Sequence, residues 1–116
     1  MVSKPLPPEL HTANDHFVYL WEFEVVPAFE LRFLEFYGSA GVWSRLFAKA
    51  DGYLGTQLLQ DRARATRYVT LDRWTSHQAF EVFLARFQDE YEALDRACET
   101  FTSHEASLGS YWVREA

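Results

Sequence analysis

Two hydrophobic periods alternate along the chain, and the places where one gives way to the other divide it into elements. From His16 to Val26 the pattern has a period of two. Phe17, Tyr19, Trp21, Phe23 and Val25 fall on one face, and Val18, Leu20, Glu22 and Glu24 on the other. This predicts a first strand that is largely apolar on both faces at its start, and so covered on both. Pro27 ends it and suits a helix start. Phe29, Phe33, Phe36 and Tyr37 then recur at helical spacing, and Val42, Leu46 and Phe47 mark a second, short helix after Gly38 and Gly41. A strand is expected from Tyr53 to Asp61, with Gly55 marking a bulge or a close backbone approach. The next strand begins at Arg67 and ends at Trp74, with Tyr68, Thr70, Asp72 and Trp74 on one face and Arg67, Val69, Leu71 and Arg73 on the other. Helical periodicity starts abruptly at Thr75, where Thr75 and Gln78 have capping-box spacing. Phe80, Phe83, Leu84 and Phe87 form a buried stripe that resumes with Tyr91, Leu94, Ala97, Cys98 and Phe101, and Glu92 is spaced to pair with Arg96. A last strand is expected from about Ser103 to Val113, interrupted by Gly109.

The order strand, helix, strand, strand, helix, strand has an economical solution. It is an α+β domain of the ferredoxin-like βαββαβ type, a four-stranded antiparallel sheet with its helices on one face. The apolar residues on the other face then need a partner, and a second copy of the same sheet is the simplest. The expectation is a homodimer joined through the sheet face, a dimeric α+β barrel. Residues 1–15, with Pro5, Pro7 and Pro8, read as an extended or disordered arm, and 16–116 as a single domain.

Composition narrows the partners. Aromatic residues make up 17% of the 116-residue chain, more rings than a small core usually needs, so some are expected around a cavity or an interface. A formal charge of −6 argues against nucleic acid and against an anionic membrane. A lone cysteine, Cys98, allows no internal disulfide, and no apolar run reaches bilayer length, which together suit the cytoplasm.

The strand ending Leu71-Asp72-Arg73-Trp74, followed by Thr75-Ser76-His77-Gln78-Ala79-Phe80 within this order of elements, resembles the antibiotic biosynthesis monooxygenase domain family of the dimeric α+β barrel proteins. The resemblance spans about residues 16–113. It implies the fold and the dimer described above, and a function resembling cofactor-independent monooxygenases acting on a small aromatic or polyketide-like compound. The family also has haem-degrading members, with an Asn on the first strand and a haem-ligating His on the second main helix. Aligned on Trp74 and Pro27, those positions are Trp21 and Leu84, so haem degradation is not expected and no cofactor is implied. Catalysis stays open beside an alternative: a non-catalytic homodimer of the same fold that binds a small hydrophobic ligand or is purely structural.

The strand register places Tyr19, Trp21, Phe23, Tyr68, Thr70, Asp72 and Trp74 on the helix-facing side of two adjacent strands. Rings around one carboxylate suit a flat aromatic ligand. In a cofactor-free oxygenation the substrate supplies the electrons, and the protein deprotonates it, holds the anion and excludes water. Asp72 is the candidate base, Trp74 a candidate stacking wall, and Tyr19 or Tyr68 a hydrogen-bond donor. Against this stands a purely structural reading, in which the rings fill the space under the helices and Asp72 pairs with an arginine or caps backbone.

The other chemistry-bearing residues have plainer readings. Glu22 and Glu24 lack a His or Cys at ligand spacing, so no metal site is expected, and they read as exposed or dimer-pairing carboxylates. Arg62, Arg64 and Arg67 read as a solvated hairpin end. His104 and Glu105, adjacent on a strand, point to opposite faces. Cys98 reads as a buried structural thiol.

Overall fold

The computed structural model describes residues 16–114, and the expected N-terminal arm lies outside the described residues. Strand β1, Phe17–Val25, is followed by a 3-10 turn at Pro27–Phe29 and by helices α1, Glu30–Tyr37, and α2, Val42–Phe47. The hairpin strands β2, Tyr53–Gln60, and β3, Arg67–Trp74, come next, then helices α3, His77–Arg86, and α4, Gln88–Cys98. A 3-10 turn at Glu99–Phe101 leads into β4, Thr102–Trp112. The strands form one antiparallel sheet in the order β2-β3-β1-β4. This is the ferredoxin-like α+β arrangement expected from the periodicity.

The core lies on the helix side of the sheet. Phe33 of α1 is stacked on Tyr37 at 4.5 Å and meets Phe23 and Tyr68 of the sheet at 5.4 and 5.2 Å. Under α3, Phe83 packs against Trp74 at 5.3 Å and against Phe47 of α2 at 5.2 Å. Both aromatic stripes therefore enter one core. Phe29 is the exception: it lies in the 3-10 turn ahead of α1, partly exposed, with its ring 5.9 Å from that of Phe101.

Three bulges, one of them at Ser103 where β4 begins, set which β residues look inward. Tyr53 pairs with Trp74 but Gly55 with Arg73, so Leu54 is the extra residue, and Gly55 takes the positive φ of 141° that the kink needs. On β4, Gly109 pairs with Leu20 but Ser107 with Trp21, making Leu108 the extra residue. That insertion reverses the alternation of β4. Glu105 and Ser107 face the helices before it, and Ser110 and Trp112 after it.

The helix start falls one residue later than the capping-box spacing suggested. Ser76, not Thr75, is the N-cap of α3, its hydroxyl accepting from the Ala79 amide at 3.0 Å. Thr75 instead donates its amide to the Gly52 carbonyl at 2.7 Å, tying the start of β2 to the end of β3. Gly52 has φ +91°, and a Cβ there would lie 2.6 Å from Thr75 Oγ1 and 2.7 Å from Ala79 Cβ. Gly52→Ala is therefore expected to cost about 2 kcal/mol or more, combining a left-handed non-glycine residue with overlap. Thermal unfolding should fall by roughly 10 °C for a domain of this size; an unchanged midpoint would contradict the packing at this junction.

On the opposite face of the sheet, Val18, Leu20, Val69, Leu71 and Leu59 form an apolar band with Tyr111. Leu59 and Tyr111 are exposed. One end of this face is charged but internally paired. Arg67 bridges Glu22 and, at 3.2 Å, Asp61, while Arg64 reaches Glu24 at 3.2 Å. These contacts refine the expectation of a solvated hairpin end, since two of its three arginines hold carboxylates of β1. Glu92 accepts from Gln88 at 3.1 Å, one turn before it, rather than pairing with Arg96. Among the described residues, no helix is long and apolar enough to cross a membrane.

Candidate active site

Between the sheet and the helices lies a half-open cavity of about 80 Å³. The sheet contributes Tyr19, Trp21 and Phe23 from β1, Thr70 and Asp72 from β3, Thr56 from β2 and Glu105 from β4. The helices close it with Tyr37, Trp43, Phe47, Tyr91 and Asp95. Cross-strand pairing explains the grouping on the sheet. Tyr19 lies opposite Asp72, Trp21 opposite Thr70, and Phe23 opposite both Tyr68 and Glu105. Directly opposed residues share a face, so these side chains converge.

Of the seven residues that the sequence placed here, five line the cavity. Tyr68 is buried elsewhere, its hydroxyl 3.5 Å from a Glu30 carboxylate oxygen, and burial with that neighbouring charge raises its pKa. Trp74 is 0% exposed and enclosed by Phe47, Tyr53, Phe80 and Phe83, with ring centroids 5.3 to 5.7 Å away. It supports the floor of the cavity without facing it, so a ligand cannot stack on it in this arrangement.

Asp72 is 6% exposed and, among the described residues, has no arginine or lysine partner. It accepts from Thr56 Oγ1 at 2.5 Å, and Thr56 in turn shares a hydrogen bond of 2.6 Å with the Tyr53 hydroxyl. Burial pushes its pKa from 3.8 up to about 6, against the opposing pull of the hydrogen bonds from Thr56 and Tyr19. The Tyr19 phenol is held well above its ordinary value of 10 by burial and by the Asp72 charge, so it stays a donor. Asp72 is thus a carboxylate desolvated in a cavity wall, with two hydroxyl donors that favour its ionised form. The structural alternative of an Asp72–Arg pair is not what the side chain does.

Several cavity residues escaped the sequence reading. Tyr37, Phe47 and Tyr91 belong to helical stripes that looked purely structural, Trp43 was placed in none, and Asp95 lies one turn beyond Tyr91 on α4. Glu105 reached the cavity only because the Leu108 bulge resets the phase of β4. Two buried indole N–H groups, on Trp43 and Trp74, make no well-formed hydrogen bond among the described residues. Trp43 lies near the Tyr37 hydroxyl and the Cys98 thiol.

The remaining candidates have local partners. His77 Nδ1 lies 2.8 Å from Glu81 on α3, and His104 faces Glu22 at 3.6 Å on the opposite side of the sheet from Glu105. Cys98 is buried, which pushes its thiol pKa up and makes it a poor nucleophile. Leu84, at the position aligned with the haem ligand, packs against the core cluster and offers no ligand atom. Among the described residues, no group of three or more His, Cys, Asp or Glu could hold a metal ion.

A ferredoxin-like α+β chain with an aromatic cavity beside a buried carboxylate defines a class of small-molecule proteins. Within it, the sequence profile of the antibiotic biosynthesis monooxygenase family matches residues 22–96, and the chain belongs to that family. Among solved structures it is similar to SnoaB, a cofactor-independent oxygenase from Streptomyces nogalater. That likeness has 29% identity over 88% of this chain and 96% of that one, with a TM-score of 0.60. A mutant form of SnoaB gives 26% identity over the same shares and a TM-score of 0.67. The monooxygenase from the gene ActVA-Orf6 of Streptomyces coelicolor, in complex with the ligand nanaomycin D, shares the fold at 18% identity. It covers 90% of this chain and 93% of its own, with a TM-score of 0.68. No protein of curated function matches the chain.

Proposed function

We propose that this protein is a cofactor-independent monooxygenase acting on a small aromatic or polyketide-like compound bound in the cavity beside Asp72. The observation that carries the reading is the environment of Asp72: a buried carboxylate in a cavity wall, without a cationic partner among the described residues, whose pKa of about 6 suits a general base at neutral pH. SnoaB, similar over most of both chains, is described as a cofactor-independent oxygenase, which supports the same reading.

The chemistry asks little of the protein. Asp72 takes a proton from an acidic C–H or O–H of the substrate, and the electron-rich anion transfers electrons to dioxygen. The resulting carbon-bound peroxide anion takes the proton back from Asp72, and loss of water from the hydroperoxide then leaves a carbonyl. Overall, a CH2 group and O2 become C=O and H2O. The donors Tyr19 and Thr56 hold Asp72 in place, and Trp21, Phe23 and Phe47 shield the anion from water. Dimerisation through the apolar band of the sheet belongs to the same proposal, and sedimentation at twice the chain mass is the expected result.

The test is dioxygen uptake by the purified protein with an electron-rich hydroxylated naphthalene or anthracenone. The expected product has gained one oxygen atom and lost two hydrogens, at a rate above autoxidation in buffer. A rate no higher than buffer across such probes overturns the enzyme reading. A second reading, a non-catalytic binder of small hydrophobic compounds in the aromatic-lined cavity, predicts binding without uptake.

A further inference from the structure

The charge around the cavity is one-sided. Its charged lining residues are Asp72, Asp95 and Glu105, and among the described residues no lysine, arginine or histidine lines it. At the end away from Asp72 the carboxylates crowd. Asp95 of α4 and Glu105 of β4, both exposed, share a second depression with Glu99 and His104, beside the cavity. Glu105 is held above its ordinary pKa by burial and then by the charges of Asp95 and Glu99, which His104 offsets least of all. Like charges brought together, with only the exposed His104 beside them, cost free energy that an incoming cation would recover.

The wall between these carboxylates is an arc of electron-rich rings. Phe23 meets Tyr37 at 4.8 Å, Tyr37 meets Trp43 at 6.1 Å, and Trp43 meets Tyr91 edge to face at 5.1 Å. Glu105 stands opposite Phe23 at one end of the arc, and Asp95 follows Tyr91 by one helical turn at the other. Ring faces with flanking carboxylates are the chemistry by which proteins hold alkylammonium groups. A separate mismatch lies in the same wall. Trp43 is 8% exposed, and its indole N–H makes no well-formed hydrogen bond among the described residues, so the wall also offers a donor to an oxygen on the ligand.

We infer that the ligand of this cavity is a cationic aromatic compound: a flat, oxygenated ring system carrying a protonated amine, its ammonium seated between Asp95, Glu105 and the Tyr37–Trp43–Tyr91 arc. The inference rests on the reading of this cavity as the substrate site, and it deepens that reading. Deprotonation by Asp72 generates an anion in a cavity that has no cationic side chain to stabilise it. A substrate ammonium held by Asp95 and Glu105 leaves the deprotonated ligand neutral overall as a molecule. The two ends are well separated. Tyr19, opposite Asp72, and Phe23, opposite Glu105, are four residues apart on β1, about 13 Å along the strand. The amine therefore sits on an arm or ring remote from the carbon that is oxidised.

The experiment compares three probes of one size by tryptophan fluorescence and calorimetry at neutral pH: 1-naphthylmethylamine, 1-naphthalenemethanol and 1-naphthoate. The ammonium is expected to bind at least tenfold more tightly than the alcohol, and the carboxylate to bind least. The preference should weaken with added salt and collapse in the D95N/E105Q double variant, whose folding is checked by circular dichroism. A singly substituted E105Q protein serves if the double variant does not fold. Equal binding of amine and alcohol, or a preference that survives both substitutions, overturns the inference but leaves the cavity as a neutral-ligand site. Failure of all three probes to bind overturns the inference together with the substrate-cavity reading.

Discussion

Asp72→Asn is expected to abolish dioxygen uptake while making the protein more stable at neutral pH. The two effects have one cause. A carboxylic acid that titrates near 3.8 in the unfolded chain titrates at about 6 in the cavity wall, because burial penalises the ionised form more than Thr56 and Tyr19 favour it. Below pH 4 the group is protonated in both states and costs nothing. Between about pH 4 and 6 the native state keeps a proton that the unfolded state has lost, so stability falls as pH rises through that interval. Above about 6 the full penalty is present, on the order of 3 kcal/mol before any relaxation around the site. Asparagine removes the ionisation and keeps an oxygen for Thr56 to donate to. The variant should gain about 1–3 kcal/mol at pH 7.5, with no gain at pH 4. Parallel thermal melts across this range check it, and a difference that stays flat with pH would mean that Asp72 does not titrate near 6. Loss of the base should lower turnover by roughly 10²–10⁴-fold. In the wild type, kcat/KM should rise with pH through about 6 and then level off. A site that gains stability when its charge is removed, and loses activity with it, is carrying that charge for function.

The fold was legible because each element declares its own period. The β1 alternation and the stripe Phe80-Phe83-Leu84-Phe87 belong to faces that are apolar over several turns or pleats, and tertiary structure had no reason to override them. The Arg67–Trp74 strand was readable to its last residue, since Ser76 caps α3 directly after it. The cavity was legible on β1 and β3, where unbroken alternation sets the face of every residue, and that includes Asp72 and its opposite number Tyr19. On β4 the same rule fails, because the extra residue Leu108 exchanges the two faces partway along the strand. Gly109 hinted at an interruption, but a glycine does not announce in which direction the phase shifts. The helical wall was unreadable for a different reason. Trp43 is a core residue and Tyr91 packs against the core, and the cavity between their helices and the sheet makes both of them lining. Thr56 remained hidden because its role depends on the bulge at Leu54 and on a hydrogen bond 16 residues away in sequence.

Trp74 and Trp21 separate core from site, and alanine at each is expected to fail in a different way. Trp74 is fully buried, and its ring touches those of Phe47, Tyr53, Phe80 and Phe83, so it joins α2, β2 and α3 to the sheet. Truncation would leave a large void among groups that cannot all collapse into it, at about 3–5 kcal/mol. That is a large share of the stability of a domain this size, and Trp74→Ala should be poorly folded at 37 °C. Trp74→Phe, which keeps most of the volume and loses an indole N–H that makes no well-formed hydrogen bond among the described residues, should fold and keep ligand binding. Trp21 is half-buried on the cavity wall, opposite Thr70. Its truncation enlarges a space that is already open, so Trp21→Ala should cost no more than about 1–2 kcal/mol of stability. It should weaken binding of an aromatic probe by tenfold or more through loss of the ring face. Chemical denaturation and probe titration on the three variants give the separation. If Trp74→Phe abolished binding while its stability stayed near wild type, the buried indole would be acting on the ligand, and the cavity would have to open onto it in the bound state.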